Sequence, residues 1–246
     1  MNYNEFKQEV EFSYSHRDAN NHVLPSSILE SFQDIGSSHA DLLGVGYKDL
    51  LKNNYIWVVN KIRYKIIKDI PYEPITLETW PHKKGILDFN RDFKAYDSNN
   101  NICILVTSKW CILDMNTRKL VRARNINYKN LESFKEENAF DDNYELIKEF
   151  EPNEETYVKR FDINYSMIDH NFHLNNTKYA SFVLDSIKDI EKKEIVDLQI
   201  NFLRECLYKD YIKTYCIERA NNELLIEGIK NDDEVSFLAL VKLKDI

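Results

Sequence analysis

Asp18-Ala19-Asn20-Asn21-His22-Val23-Leu24, in the first half of the chain, returns as Asp169-His170-Asn171-Phe172-His173-Leu174-Asn175 in the second. Both stretches read Asp-x-Asn-x-His followed by an apolar residue, about 150 positions apart. Each is preceded by strand-like sequence and followed by an amphipathic helical pattern, so one αβ unit has been used twice. Each copy gathers a carboxylate, an amide and an imidazole where a helix begins and its first N–H groups lack intrahelical partners. Such a set can serve hydrolysis. It can equally be a polar lead-in to a helix.

Working outward, the same order of elements surrounds both copies. Val10, Phe12 and Tyr14 alternate with polar neighbours, which predicts a strand over 8–15. Pro25 suits a first helical position, and Ile28, Phe32, Ile35, His39 and Leu42 then recur at helical spacing. Gly44 and Gly46 end that helix. Strands follow at 55–67, 75–80, 87–96 and 102–113, separated by turns such as His82-Lys83-Lys84-Gly85 and Asp97-Ser98-Asn99-Asn100-Asn101. In the second half a strand near 156–162 leads to a helix over 176–190, with Tyr179, Phe182, Val183, Ile187 and Ile190 on one face. Strands at 195–207, 211–220, 223–230 and 235–243 complete it. The gaps are too short for crossover helices, so the pairing is antiparallel. The expected class is α+β, with two long helices that each bury a stripe against an antiparallel sheet. The expected division is an N-terminal domain over 1–130, an acidic, Asn-rich linker over 131–153 and a C-terminal domain over 154–246.

Composition narrows the function. A chain of 246 residues, 43% hydrophobic and 30% charged with five Gly and five Pro, can bury a sizeable core and leaves little room for disorder. A formal net charge of −8 argues against a general nucleic-acid binder, though not against a local basic patch. No apolar run approaches the ~20 residues that span a bilayer, and residues 1–15 lack a signal-like apolar region, so a cytoplasmic protein without stable membrane insertion is expected. Cys103, Cys111, Cys206 and Cys216 form no Cys-x-x-Cys pair, which points to free thiols. His170 and His173 are three apart, but no third ligand has a recognisable spacing, so neither metal nor cofactor is expected.

A helix wrapped by an antiparallel sheet and present twice in one chain is similar to the double hotdog arrangement. Asp169-His170-Asn171-Phe172-His173-Leu174-Asn175-Asn176-Thr177-Lys178-Tyr179 resembles the signature of the fatty acyl-ACP thioesterases of plant plastids and many bacteria. Leu203-Arg204-Glu205-Cys206 resembles that family's Arg-Glu-Cys element on the first long strand after the helix. Tyr14–Asp18, Gly44-Val45-Gly46 and the strand 57–64 fit as well, so the likeness covers essentially the whole chain. It implies hydrolysis of an acyl chain carried on the phosphopantetheine arm of an acyl carrier protein. Asp169, Asn171 and His173 match the family's catalytic positions, and Glu205 and Cys206 its associated acid and thiol. A homodimer is compatible with the sequence.

The residues suit the chemistry. An imidazole can take a proton from water, a carboxylate can orient it, and an amide with helix N-terminal N–H groups can receive an oxyanion. A Cys–His–Asn grouping offers covalent catalysis instead, if Cys206 has a lowered pKa. Strict alternation along 195–207 turns Cys206 toward the helix, while Glu205 needs a bulge or the strand end to turn inward. Attack by water, with Cys206 as a wall residue, is the reading adopted. Asp18, Asn20 and His22 lack a matched acid because the strand 55–67 has no Glu-Cys pair, so a structural role is expected there. Phe32, Ile35, His39, Leu42 and Leu43 are the candidate wall of an acyl tunnel. Lys83-Lys84 and Arg118–Arg124 are candidates for steering an acidic carrier. An acyl-CoA thioesterase, a related dehydratase and a non-catalytic acyl-binding module are the alternatives.

Overall fold

The computed structural model describes residues 3–142 and 144–246. In chain order its elements are β1 (Phe6–Val10), α1 (Pro25–Leu42), α2 (Tyr47–Leu51), β2 (Tyr55–Ile66), β3 (Ile75–Pro81), β4 (Asp88–Tyr96), β5 (Ile102–Asp114) and β6 (Lys119–Leu120). They continue as β7 (Tyr157–Asp162), α3 (Asn176–Leu184), β8 (Lys193–Phe202), β9 (Tyr211–Arg219), β10 (Glu223–Lys230) and β11 (Glu234–Asp245). Backbone contacts divide the chain into two compact units. One joins the chain up to Ser15 with the stretch from Glu30 to residue 142; the other joins His16–Leu29 with Tyr144–Ile246.

In the first unit the strands lie in the order β1-β3-β4-β5-β2, with β6 hairpinned onto β5, and every pairing is antiparallel. Helix α1 ends as its glycine predicts. Gly44 takes φ +66°, which lets the Val45 N–H reach back to the Ala40 carbonyl and the Gly44 N–H to that of Asp41. The helix stripe packs on the sheet: Phe32 meets Phe93 edge-on at 5.4 Å, and Ala40 and Leu43 join Phe89 and Ile112. Burying each of the larger side chains, such as Phe32 and Leu43, contributes about 1.5–3 kcal/mol.

The second unit repeats the plan with the order β8-β11-β10-β9-β7, again antiparallel throughout. Phe182 of α3 stacks on Phe161 at 4.5 Å, and Tyr179 packs edge-on against Phe202 and Phe237 at 5.3 and 5.4 Å. Gly228 makes room for the Phe237 ring, since a Cβ there would lie 2.0 Å from it.

Three expectations need correction. Residues 11–15 do not extend the first strand: β1 stops at Val10, and Tyr14–His16 form a 3-10 turn with Tyr14 exposed. The second helix is nine residues long and stops at Leu184 instead of running to 190. There the Ser186 hydroxyl donates to the Phe182 carbonyl and lies 2.8 Å from the Thr214 hydroxyl, its N–H bonds back to Val183, and Asp189 turns left-handed at φ 53°. That local side-chain bonding outcompetes the apolar periodicity that Ile187 and Ile190 continue. The strand expected to run to 207 ends at Phe202, because Leu203 and Arg204 both donate their N–H to the single carbonyl of Ser236.

The stretch read as a linker lies along the sheets. Trp80 Nε1 donates to the Glu137 carbonyl at 2.9 Å, Ala139 and Phe140 pack on Trp80, and Lys135 sits among Glu5, Glu78 and Glu137. Within the second unit, Gln199 exchanges two hydrogen bonds with the Glu145 backbone, and Ile147 packs on Leu225, Leu238 and Leu240. These contacts satisfy polar strand residues such as Gln199 that face away from the helix.

Candidate active site

The two Asp-x-Asn-x-His words fold into the same loop. In the second copy Asp169 Oδ1 accepts the N–H groups of Asn171 and His173 at 2.8 and 3.2 Å, and the Asp169 N–H closes onto the His173 carbonyl at 2.8 Å. In the first copy Asp18 Oδ1 accepts from Asn20 and His22 at 2.8 and 2.9 Å, and the Asp18 N–H bonds the His22 carbonyl at 2.9 Å. The fourth residue is left-handed in both, with φ 68° at Asn21 and 65° at Phe172. Asparagine tolerates that conformation and phenylalanine does not favour it; Phe172 is 79% exposed, so the tight loop and not packing holds it there. The aspartate is thus the keystone of the loop, because its carboxylate gathers N–H groups that no helix or strand satisfies. Helix α3 is capped by Asn175, whose Oδ1 accepts from the Thr177 N–H, so Asp169 is free of that duty.

Glu205 reaches the loop. Its Oε2 lies 3.2 Å from His173 Nε2, with the imidazole side chain 23% and the carboxylate 43% exposed. The early end of β8 makes this possible, since the chain beyond Phe202 no longer alternates. It is braced instead: Ser236 Oγ donates to the Arg204 carbonyl at 2.9 Å, Lys230 Nζ donates to the Glu205 carbonyl, and the Leu174 N–H bonds the Cys206 carbonyl at 2.8 Å. Asp210 accepts from the Leu207 N–H and from Asn231. Burial alone would raise the Asp210 pKa, but those hydrogen bonds and Lys230 hold it low. Ser236, Asp210 and Lys230 escaped the sequence reading. The signal for Ser236 is a lone serine in the apolar run Val235–Val241.

Cys206 is fully buried, with its sulfur 3.2 Å from Ser236 Oγ. Burial pushes its thiol pKa up, against the pull of the Ser236 and Tyr179 hydroxyls. A thiol so placed is a poor source of thiolate. Arg204 pairs with exposed Glu234 at 3.3 Å.

The candidate acyl wall divides. Phe32, Ile35, His39 and Leu43 are buried on the inner stripe of α1, but Leu42 is 38% exposed. A helix turns 3.6 residues per turn, so the stripe passes from His39 to Leu43 rather than Leu42. His39 Nδ1 faces the Arg91 guanidinium at 2.9 Å and Nε2 the Tyr3 carbonyl at 3.0 Å. Arg91 can only donate, so Nε2 carries the proton. Burial, then the Arg91 charge, pushes the His39 pKa down to about 4. His39 is a neutral core histidine.

The basic segments named from the sequence meet in the first unit. The Ala123 N–H bonds the Ile86 carbonyl at 2.9 Å, which sets the 83–87 loop beside the 118–124 turn. Lys83, Arg118, Lys119, Arg122 and Arg124 are exposed there, around Ile86 at 80% and Leu120 at 45% exposure. Among the described residues, no helix is long and apolar enough to cross a membrane.

Comparison with known proteins agrees with this architecture. Residues 3–128 match the acyl-ACP thioesterase N-terminal domain and residues 150–237 the acyl-ACP thioesterase C-terminal domain. The 12:0-ACP thioesterase of Umbellularia californica shares the fold over 100% of this chain and 99% of its own, with a TM-score of 0.86 at 18% identity. An acyl-ACP thioesterase of Bacteroides thetaiotaomicron does so over 98% of both chains, with a TM-score of 0.83 at 21% identity. A chloroplastic palmitoyl-acyl carrier protein thioesterase of Gossypium hirsutum is 26% identical over 73% of this chain and 47% of its own. The chain therefore spans about half the length of curated relatives of this kind. With both domain models matched in order along most of its length, the chain belongs to the acyl-ACP thioesterase family.

Proposed function

We propose that the protein hydrolyses fatty acyl-ACP thioesters to free fatty acid and holo-ACP, with water as the nucleophile. The observation that carries this reading is the 3.2 Å contact between His173 and Glu205, held on a loop that also presents Asn171. Glu205 accepts the Nε2 proton and leaves the Nδ1 lone pair to take a proton from water. The water oxygen attacks the thioester carbon as its proton passes to His173. The carbonyl π pair moves to oxygen, where the Asn171 amide and the Asn176 N–H at the start of α3 receive the charge. Collapse breaks the C–S bond, and the imidazolium returns its proton to the departing sulfur. Asp169 acts as a positioning residue, because its carboxylate holds the backbone on which both His173 and Asn171 ride. Turnover of a graded panel of acyl-ACPs and acyl-CoAs tests the assignment. Tight retention of the acyl chain without release of thiol would replace it with a binding role.

Cys206 supports the fold of the site in this reading. Cys206→Ser is expected to keep measurable hydrolysis, since a hydroxyl can keep the contact with Ser236. Intact-protein mass spectrometry of wild-type enzyme quenched during the first turnover should show no acyl increment. A kinetically competent adduct on Cys206 would overturn water attack and leave the thioesterase assignment standing.

The basic patch with Ile86 at its centre suits an acidic carrier, through charge steering around an apolar contact. Arg122→Glu with Arg124→Glu is expected to raise KM for dodecanoyl-ACP roughly tenfold at low salt, because charge reversal at a rim acts on association. Hydrolysis of dodecanoyl-N-acetylcysteamine, which lacks the carrier, should be unchanged. Equal loss on both substrates would remove the patch from carrier recognition. Phe32, Ile35 and Leu43 are the proposed acyl-contacting residues that remain on the inner stripe of α1.

A further inference from the structure

Beyond Phe202 the chain leaves β8, and three consecutive carbonyls of the departing stretch are each held from a different place. Ser236 Oγ of β11 donates to the Arg204 carbonyl at 2.9 Å. Lys230 Nζ, at the end of β10, donates to the Glu205 carbonyl at 3.2 Å, and the Leu174 N–H donates to the Cys206 carbonyl at 2.8 Å. The next residue, Leu207, forms an isolated antiparallel bridge with His173 and gives its N–H to Asp210 Oδ2 at 2.8 Å. The same Oδ2 lies 3.6 Å from Lys230 Nζ, and both side chains are 18% exposed. Asn231 Nδ2 donates to the other Asp210 oxygen at 2.8 Å, and Glu234 Oε2 lies 3.9 Å from Lys230 Nζ. All of these residues belong to one compact unit. One ion pair thus grips the backbone on both sides of the His173–Glu205 contact. Its cation holds Glu205, and its anion holds the residue that bridges His173.

We propose that Lys230 and Asp210 are positioning residues that keep Glu205 on His173. The inference rests on the reading of His173 and Glu205 as the proton-transfer couple. The Glu205 carboxylate is 43% exposed, so packing does little to select the rotamer that reaches Nε2 at 3.2 Å. The direction of the backbone beneath it does, and no strand ladder sets that direction once β8 has ended. An ammonium suits the task, because its three donors on a flexible stem can meet the Glu205 carbonyl and the Asp210 carboxylate together. A largely buried ion pair contributes little net stability, since desolvation offsets the attraction. Its consequence here lies in geometry. Both residues act through Glu205 and supply no group to the reaction. A catalytic group displaced by about 1 Å can lose as much as 10²-fold in rate, so releasing the Glu205 carbonyl slows the chemical step and leaves ground-state binding alone.

A double-mutant cycle on the full chain, with dodecanoyl-ACP as substrate, tests the role. Lys230→Met, similar in length and uncharged, is expected to lower kcat about tenfold while KM changes by less than about twofold. Lys230→Arg, which keeps the charge and the donors, should return kcat to within about threefold of wild type. Glu205→Ala should itself reduce kcat by roughly tenfold or more, and adding Lys230→Met to it should cost nothing further, because no side chain is left to position. A brace needed only for folding would instead lower the melting temperature and cut turnover by the same factor in both backgrounds. Asp210→Asn still accepts the Leu207 N–H but gives up the counter-charge. It should show the same pattern at about threefold, and it carries the cycle if Lys230→Met does not fold. An unchanged kcat in folded Lys230→Met, or an equal loss with and without the Glu205 side chain, overturns the positioning role. Undiminished turnover in Glu205→Ala is a different failure: it overturns the His173–Glu205 couple, and this inference with it.

Discussion

His173→Ala is expected to cut steady-state turnover of acyl-ACP by roughly 10²-fold or more, the scale of a positioned acid–base group. The reason is specific to the geometry. His173 is the ring that Glu205 touches, and its own N–H and carbonyl are both pinned to Asp169. Losing the imidazole removes the proton acceptor that Glu205 orients. Asp169→Asn should also be damaging, by a different route. An amide oxygen still accepts hydrogen bonds, but it holds the two loop N–H groups less strongly than a carboxylate does. The loss should therefore be smaller than for His173→Ala and should come with a lower melting temperature. Steady-state kinetics beside thermal melts distinguish the two. Undiminished turnover in a folded His173→Ala variant would show that the wrong half of the chain has been credited with the activity.

Much of this site can be read from the sequence, and the parts that cannot share a cause. Asp169, Asn171 and His173 stand within five residues, so their convergence is local and the word itself encodes it. The strands from β2 to β5 fall within a residue or so of expectation, because Asn-rich and Gly-containing turns punctuate them. Leu42 falls outside the buried stripe because, at 3.6 residues per turn, the stripe continues from His39 to Leu43. Helix α3 is shorter than its apolar period implies, because Ile187 and Ile190 keep that period past the serine that breaks it. Glu205 shows the harder limit. Whether it faces His173 depends on where β8 stops, and Ser236 on β11 decides that by pairing. Lys230 is harder still, since no spacing in the chain announces that it will hold the Glu205 carbonyl. Long-range partners depend on register, and register is a property of the folded sheet.

His39 gives the largest expected effect on stability. Unfolded, it titrates near 6.5; folded, burial and the neighbouring Arg91 charge hold it at about 4. The unfolded chain therefore binds the extra proton first as the solution is acidified. The stability linked to His39 is fully present above about pH 6.5 and is lost as pH falls toward 4, up to about 3 kcal/mol over the whole window. Protonation would put two cations in contact in the core, because Arg91 Nη1 already points at His39 Nδ1. His39→Gln removes the titration while keeping groups able to meet both Arg91 and the Tyr3 carbonyl. The variant should be less stable than wild type at pH 7, through imperfect packing where Phe6 now stacks on the ring. Its melting temperature should nevertheless fall less steeply between pH 6.5 and 4.5. Carboxylates held low, such as Asp97 and Glu137, also weaken the fold as acid is added, but equally in both proteins. The difference between the two curves therefore reports His39 alone. Parallel curves across that window would mean that His39 carries no linked proton, and that acid opens the fold elsewhere first.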